Sequence, residues 1–388
     1  EFTDLVTALH YLNGENSGAN KITQKVKNIT FGLTGDYPEV VNACDGVLVA
    51  NKETQVDKNT GAVIALEADF TAYAYYVPTS DGKYDIYVLA DDWKIYAPNN
   101  STALFDTMEF LVKVDTSNLD VSYTTNMYYM FHDCWALAEI DVSHWVVDNV
   151  TNMACMFQVC KVLPELDCSN WNVSNVTNMD SMFHRCNNLK NLDASNWDVS
   201  KVTNMHYMFS QCFALETLDV SGWIFGDGDT VSVTNMNSMF HSCYKLEYID
   251  VANWNVSKVT DMSGMFIACN ALESLDVSRW NVGEVTYMNQ MFDKCWNLAS
   301  LDVSEWNVSK VERMNSMFQN ASKLTKLDLS GWNTAKVSDS TSMFNNCVNL
   351  KTIYVGDGWN MDKVTVTTSS DMFKSCSQLP NYNESVVD

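Results

Sequence analysis

The chain has 388 residues, 46% hydrophobic and 19% charged, with 48 acidic residues against 24 basic ones and a formal net charge of −24. The apolar fraction is too high for a disordered chain, and the length is enough to bury a core. The sign of the charge and the presence of only three arginines (Arg185, Arg279 and Arg313) exclude a phosphate-backbone binder, and no run of about 20 apolar residues is present to span a membrane.

In chain order, residues 2–12 carry helical spacing at Phe2, Leu5, Val6 and Leu9. Strand-like runs come next, at 22–33, 47–50 and 62–70. Residues 71–77 and 84–89 flank Ser80-Asp81-Gly82-Lys83, a hairpin signal. Residues 1–100 therefore read as a small β-rich domain that also covers the open apolar end of a repeat array.

From residue 101 to 388 the chain is that array, with about 11 units. Met-Phe recurs with phenylalanines at 131, 157, 183, 209, 240, 266, 292, 318, 344 and 373. The interval is 26 residues, stretched to 31 before Phe240 and 29 before Phe373. Both stretches are rich in glycine and aspartate (Gly226-Asp227-Gly228-Asp229 and Gly356-Asp357-Gly358) and read as loops. Tryptophan keeps the same time from Trp145 to Trp359, and a divergent first unit holds Leu104, Phe105, Met108 and Leu111. Cys376 and Leu379 stay in register before Pro380 breaks it, so the array ends close to its last unit and offers an apolar end for stacking unless 381–388 cap it.

Each unit shows two periods. V-T-N-M-x-x-M-F-x-x-C spaces apolar residues three and four apart, which predicts a short helix capped by residues such as Thr177 and Thr203. L-D-V-S alternates, which predicts a strand. The expected fold is an α/β repeat solenoid, leucine-rich-repeat-like, with a short strand and a short helix in every 26-residue rung.

The unit L-D-V-S-x-W-N-V-S-x-V-T-N-M-x-x-M-F-x-x-C-x-x-L resembles the BspA-type leucine-rich repeats of bacterial surface proteins, over about residues 104–379. Ile29-Thr30-Phe31-Gly32, and Tyr76-Val77-Pro78 through Ile95-Tyr96-Ala97, are similar to the module that precedes such repeats in secreted Firmicutes proteins. The resemblance implies a secreted or wall-attached, non-enzymatic protein associated with adhesion. It also implies a signal peptide and a wall anchor, so that a chain starting at Glu1 reads as a processed form.

Residues in the same register stack into columns. The Met-Phe methionines read as core, and Cys134, Cys160, Cys186, Cys212, Cys243, Cys269, Cys295, Cys347 and Cys376 as buried thiols, with Ala321 at the missing position. Cys44, Cys155 and Cys168 lie off that column and are the better disulfide candidates. His132, His184 and His241 read as solvated surface residues.

Two columns are candidate binding features. Asp115, Asp141, Asp167, Asp193, Asp219, Asp250, Asp276, Asp302 and Asp328 fall between inward apolar positions and should point outward. Like charges at strand spacing repel by roughly 0.8 kcal/mol even in water, so something must offset them. Local bonds from the Ser two residues on, calcium, or a basic partner would each serve. Trp135, Phe213, Tyr244 and Trp296 come directly after the cysteine in their units and suggest an aromatic interaction patch, or packing against a neighbouring loop.

No nucleophile–base, phosphate or metal motif stands outside the repeat consensus, and no C-x-x-C occurs. The sequence thus points to a non-catalytic surface scaffold for adhesion or protein interaction, without nucleic acid. The alternative is a self-assembling subunit of an extracellular filament or layer.

Overall fold

The computed structural model describes residues 26–43, 47–50, 55–56, 63–64, 71–91, 94–226 and 230–380. The expected helix at 2–12, most of 62–70, Cys44, loop residues 227–229 and the tail 381–388 lie outside the described residues. The chain divides into two compact units, Glu1–Asn172 and Val173–Asp388.

The first unit is built on a six-stranded sheet in the order Glu139–Ile140, Lys113–Asp115, Val26–Leu33, Tyr84–Ala90, Thr71–Pro78, Val47–Ala50. The predicted hairpin is present: Thr71–Pro78 pairs antiparallel with Tyr84–Ala90. Gly82 supplies the left-handed turn at φ 77°, and its amide donates to the Thr79 carbonyl at 3.1 Å. Val26–Leu33 is central, because Ile29 and Phe31 are fully buried, and Phe31 meets Phe105 of the first repeat edge-on at 6.1 Å. Its free edge pairs parallel with Lys113–Asp115, which pairs parallel with Glu139–Ile140. The head's sheet therefore runs directly into the strands of the first repeats. Val40 of the helix Pro38–Ala43 packs with Tyr75 and Leu89.

That helix is the one α-helix among the described residues, so the expected α/β leucine-rich-repeat-like solenoid, with a helix in each rung, is not what the chain forms. The M-x-x-M-F-x-x-C segment is a run of consecutive turns. Its backbone amides alternate between two jobs. In the first unit Met130, His132 and Cys134 donate three residues back, to the carbonyls of Met127, Tyr129 and Phe131. The amides between them, of Met127, Tyr129, Phe131 and Asp133, donate across to Asn152, Ala154, Met156 and Gln158 of the next repeat, at 2.8–3.2 Å. In the second unit Met288, Gln290, Phe292 and Lys294 donate in the same way to Arg313, Asn315, Met317 and Gln319.

An α-helix needs every amide for its own i−4 carbonyl and has none to share. Here every second residue faces the neighbouring repeat, and left-handed residues make this possible. Tyr129 and Asp133 (φ 58° and 55°) in the first unit, and Gln290 and Lys294 (φ 58° and 60°) in the second, reverse the chain at four-residue intervals. The helical apolar spacing is thus the period of a turn series. Thr203, expected as a helix cap, instead donates both its amide and its hydroxyl to the Thr177 carbonyl of the preceding repeat, at 2.9 and 3.0 Å.

The strands are also shorter than expected. In the second unit Asn191–Asp193 pairs parallel with Thr217–Asp219, and Lys326–Leu329 with Thr352–Val355. Elsewhere the contact shrinks to single bridges such as Ser274 with Ser300. Each repeat is a turn-rich coil, stacked in parallel on its neighbour.

Apolar columns fill the coils. In the first unit Phe105, Phe131 and Phe157 stack at 4.7 and 5.2 Å. In the second, the phenylalanines from Phe183 to Phe373 stack at 5.3–5.8 Å. Trp280, Trp306 and Trp332 lie parallel at 6.4 and 6.5 Å, each indole N–H donating to the carbonyl of a valine on the coil before. Trp145 and Trp254 lack that bond, and the carbonyl in the matching place for Trp145, that of Thr116, lies 3.0 Å from His144 Nε2.

Candidate functional site

Asparagine and aspartate make the corners of each coil. In the coil that starts at Asp193, three Asx turns succeed one another. Asp193 Oδ1 accepts from the Ser195 amide at 3.0 Å, Asp198 Oδ1 from Ser200 at 3.0 Å, and Asn204 Oδ1 from His206 at 3.1 Å. The aspartate column is therefore first of all a turn device. Asp141, Asp167, Asp193, Asp219, Asp276, Asp302 and Asp328 each receive both the amide and the hydroxyl of the serine two residues on, the hydroxyl at 2.6–2.8 Å. Asp115 and Asp250 receive an amide alone.

These donors favour the charged form. The Ser143 hydroxyl and amide hold the Asp141 carboxyl below the usual carboxylate range, and Ser278 and Ser330 do the same for Asp276 and Asp328. For Asp193 the Ser195 amide has the larger effect, ahead of the hydroxyl. Most of the column is exposed, with Asp115, Asp250 and Asp328 half-buried.

Of the four aromatic candidates, one lies in the first unit and three in the second. In the first unit Trp135 is 40% exposed, with Lys161 Nζ 3.7 Å above its ring and its indole N–H on Asp133 at 2.9 Å. In the second unit Phe213 and Tyr244 are on adjacent coils and stack at 5.0 Å, leaving Tyr244 41% exposed. Trp296 lies two coils beyond Tyr244 and is 48% exposed.

The cysteine column is buried, and its thiols are in no disulfide. They donate to phenylalanine carbonyls of the preceding coil: Cys134 to Phe105, Cys269 to Phe240, Cys295 to Phe266, at 3.0–3.2 Å. Burial pushes the Cys243 thiol up to about 12. Cys155 and Cys168 are likewise buried and in no disulfide, so neither is the disulfide partner the sequence allowed. Among the described residues no group of three or more His, Cys, Asp or Glu is arranged to hold a metal ion.

The histidines are less solvated than expected. His132, His184 and His241 are half-buried. Desolvation lowers His184 to about 4 and also depresses His241. His184 Nδ1 lies 3.1 Å from the Ser210 carbonyl, and His132 Nδ1 lies 2.7 Å from Asp106.

The sequence reading missed one group. In the second unit a surface concavity is lined by Glu216, Leu218, Asp219, Glu247, Tyr248 and Asp250. Tyr248 is 62% exposed, in the place where other coils carry Asn191, Thr217, Ser274 and Ser300. The signal was there to read: one aromatic residue in a column of polar ones, Glu165 and Lys326 among them.

Stacked coils with a packed interior and Asx corners define a repeat protein. The chain belongs to the family described as Mycoplasma protein of unknown function, DUF285, whose model matches residues 85–192, 161–274, 224–300 and 267–385. No curated protein matches the chain. No helix among the described residues is long and apolar enough to cross a membrane.

Proposed function

We propose that the chain is the non-catalytic interaction scaffold of a BspA-like bacterial surface protein, and that it holds a protein partner on the outward side of its coils. One observation carries the reading. The recurrent Met, Phe, Trp and Cys are consumed by packing, and Asp and Asn by the corners, while the residues that vary from coil to coil lie outside. Catalysis needs a unique constellation, whereas the repeated polar residues here have the same turn-making role in coil after coil. Exposed Tyr244, Tyr248 and Trp296 are the aromatic anchors such an interface uses. The extracellular setting rests on the resemblance of the repeat to surface proteins.

The test is binding of the purified chain to epithelial and bacterial cells by flow cytometry. Saturable binding is expected. It should be lost in the variant carrying Tyr244→Ala, Tyr248→Ala and Trp296→Ala while that variant keeps the wild-type melting temperature. Absence of cell binding, together with polymers of fixed repeat in electron micrographs, would replace this reading with that of a filament subunit.

A further inference from the structure

We propose that the concavity around Tyr248 docks an arginine-bearing basic segment of a partner protein. This rests on the scaffold reading and names the chemistry of its partner.

Tyr248 has the highest exposure of the large apolar side chains described, 62%. Among the described residues no aromatic ring or cation stands against it. A ring held in water, where sibling coils place polar or charged groups, does no packing work for this chain. Beside it, lining the same concavity, are carboxylates that the fold only half uses. Asp219 spends Oδ1 on the Ser221 amide and hydroxyl, at 3.0 and 2.7 Å, and Asp250 spends Oδ1 on the Ala252 amide at 3.2 Å. Glu216 meets Lys245 at 2.9 Å, while Glu247, Asp219 and Asp250 have no ion pair among the described residues.

The occupant must be cationic and must have a flat face. A divalent cation would need several oxygens converging within about 2.3–2.6 Å, and the carboxylates here form no such group. A guanidinium suits the arrangement: it lies on an aromatic face while its N–H groups reach separate carboxylates at the edges. The charge of −24 also repels acidic partners, lipid and nucleic acid included.

The test uses the full chain and a fluorescein-labelled Gly/Ser peptide carrying four arginines, monitored by fluorescence anisotropy at physiological salt. Matched peptides replace arginine by lysine or by the uncharged isostere citrulline. Saturable binding of the arginine peptide is expected, with the lysine peptide about threefold or more weaker and the citrulline peptide silent. Tyr248→Ala and Glu247→Gln should each weaken the arginine peptide by about fivefold. Glu305→Gln, an equal charge change at an exposed site on another coil, should leave it within about twofold. Equal losses from Glu247→Gln and Glu305→Gln would reduce the effect to diffuse charge and overturn the proposal. Wild-type affinity in Tyr248→Ala, equal binding of the citrulline peptide, or no saturable binding would also overturn it. If the peptide fails while the outward-face variant still loses cell binding, the arginine assignment falls and the scaffold reading stands.

Discussion

An Asx corner is a side chain doing backbone work, and the repeat uses several in each coil. Asp276→Asn keeps the acceptor for the Ser278 amide, whereas Asp276→Ala removes it. Thermal denaturation should show Asp276→Asn close to wild type and Asp276→Ala less stable by about 1 kcal/mol. Charge adds a pH dependence with two parts. His184 and His241 are depressed in the folded chain, so the unfolded chain takes up their protons first. Stability should fall as pH drops from the unfolded value of about 6.5 toward 4. His184→Gln, which borrows the glutamine found at 158 and 319 in the same register, should remove part of that fall, on the order of 1 kcal/mol. An unchanged pH profile in His184→Gln would refute this role. Asp141, Asp193, Asp276 and Asp328 are depressed as well. The stability they contribute is full above about pH 3.9 and is lost only at lower pH.

At the level of the element, the repeat shows how a correct period can mislead. Spacing of three and four was legible in the sequence, and so were the buried methionine, phenylalanine and cysteine columns it implied. The choice between a helix and a turn series was not. It depends on left-handed residues that carry no common signature, such as Tyr129, Ser181, Gln290 and Ser342, with glycine in that slot only at Gly264. Each such residue costs on the order of 1–2 kcal/mol when isolated. The amides shared between coils offset that cost, and a single repeat read alone does not contain those partners. The head was more legible, since its hairpin depends on local turn chemistry at Gly82. Of the candidate site, the aspartates were readable as a column and Tyr248 only as an exception within one. A β-branched residue tests the left-handed positions directly. Ser342→Val should destabilise by about 1–2 kcal/mol in denaturant melts, and Ser342→Asn, which tolerates φ near 55°, should stay within about 0.5 kcal/mol of wild type.

For the molecule as a whole, the charge of −24 and the repeated exposed carboxylates make salt a stabilising variable. Raising sodium chloride from low to physiological concentration should raise the melting temperature. Calcium at matched ionic strength should add nothing further, since no described group of carboxylates converges on an ion. A specific upward shift with calcium would contradict that assignment. Above all, the repeats of both units hold their phenylalanine, tryptophan and cysteine columns with shared turns and not with helices. Far-ultraviolet circular dichroism of the full chain reads this out. A spectrum with only weak helical bands is the predicted result; the strong paired negative bands expected from a helix in every repeat would contradict it.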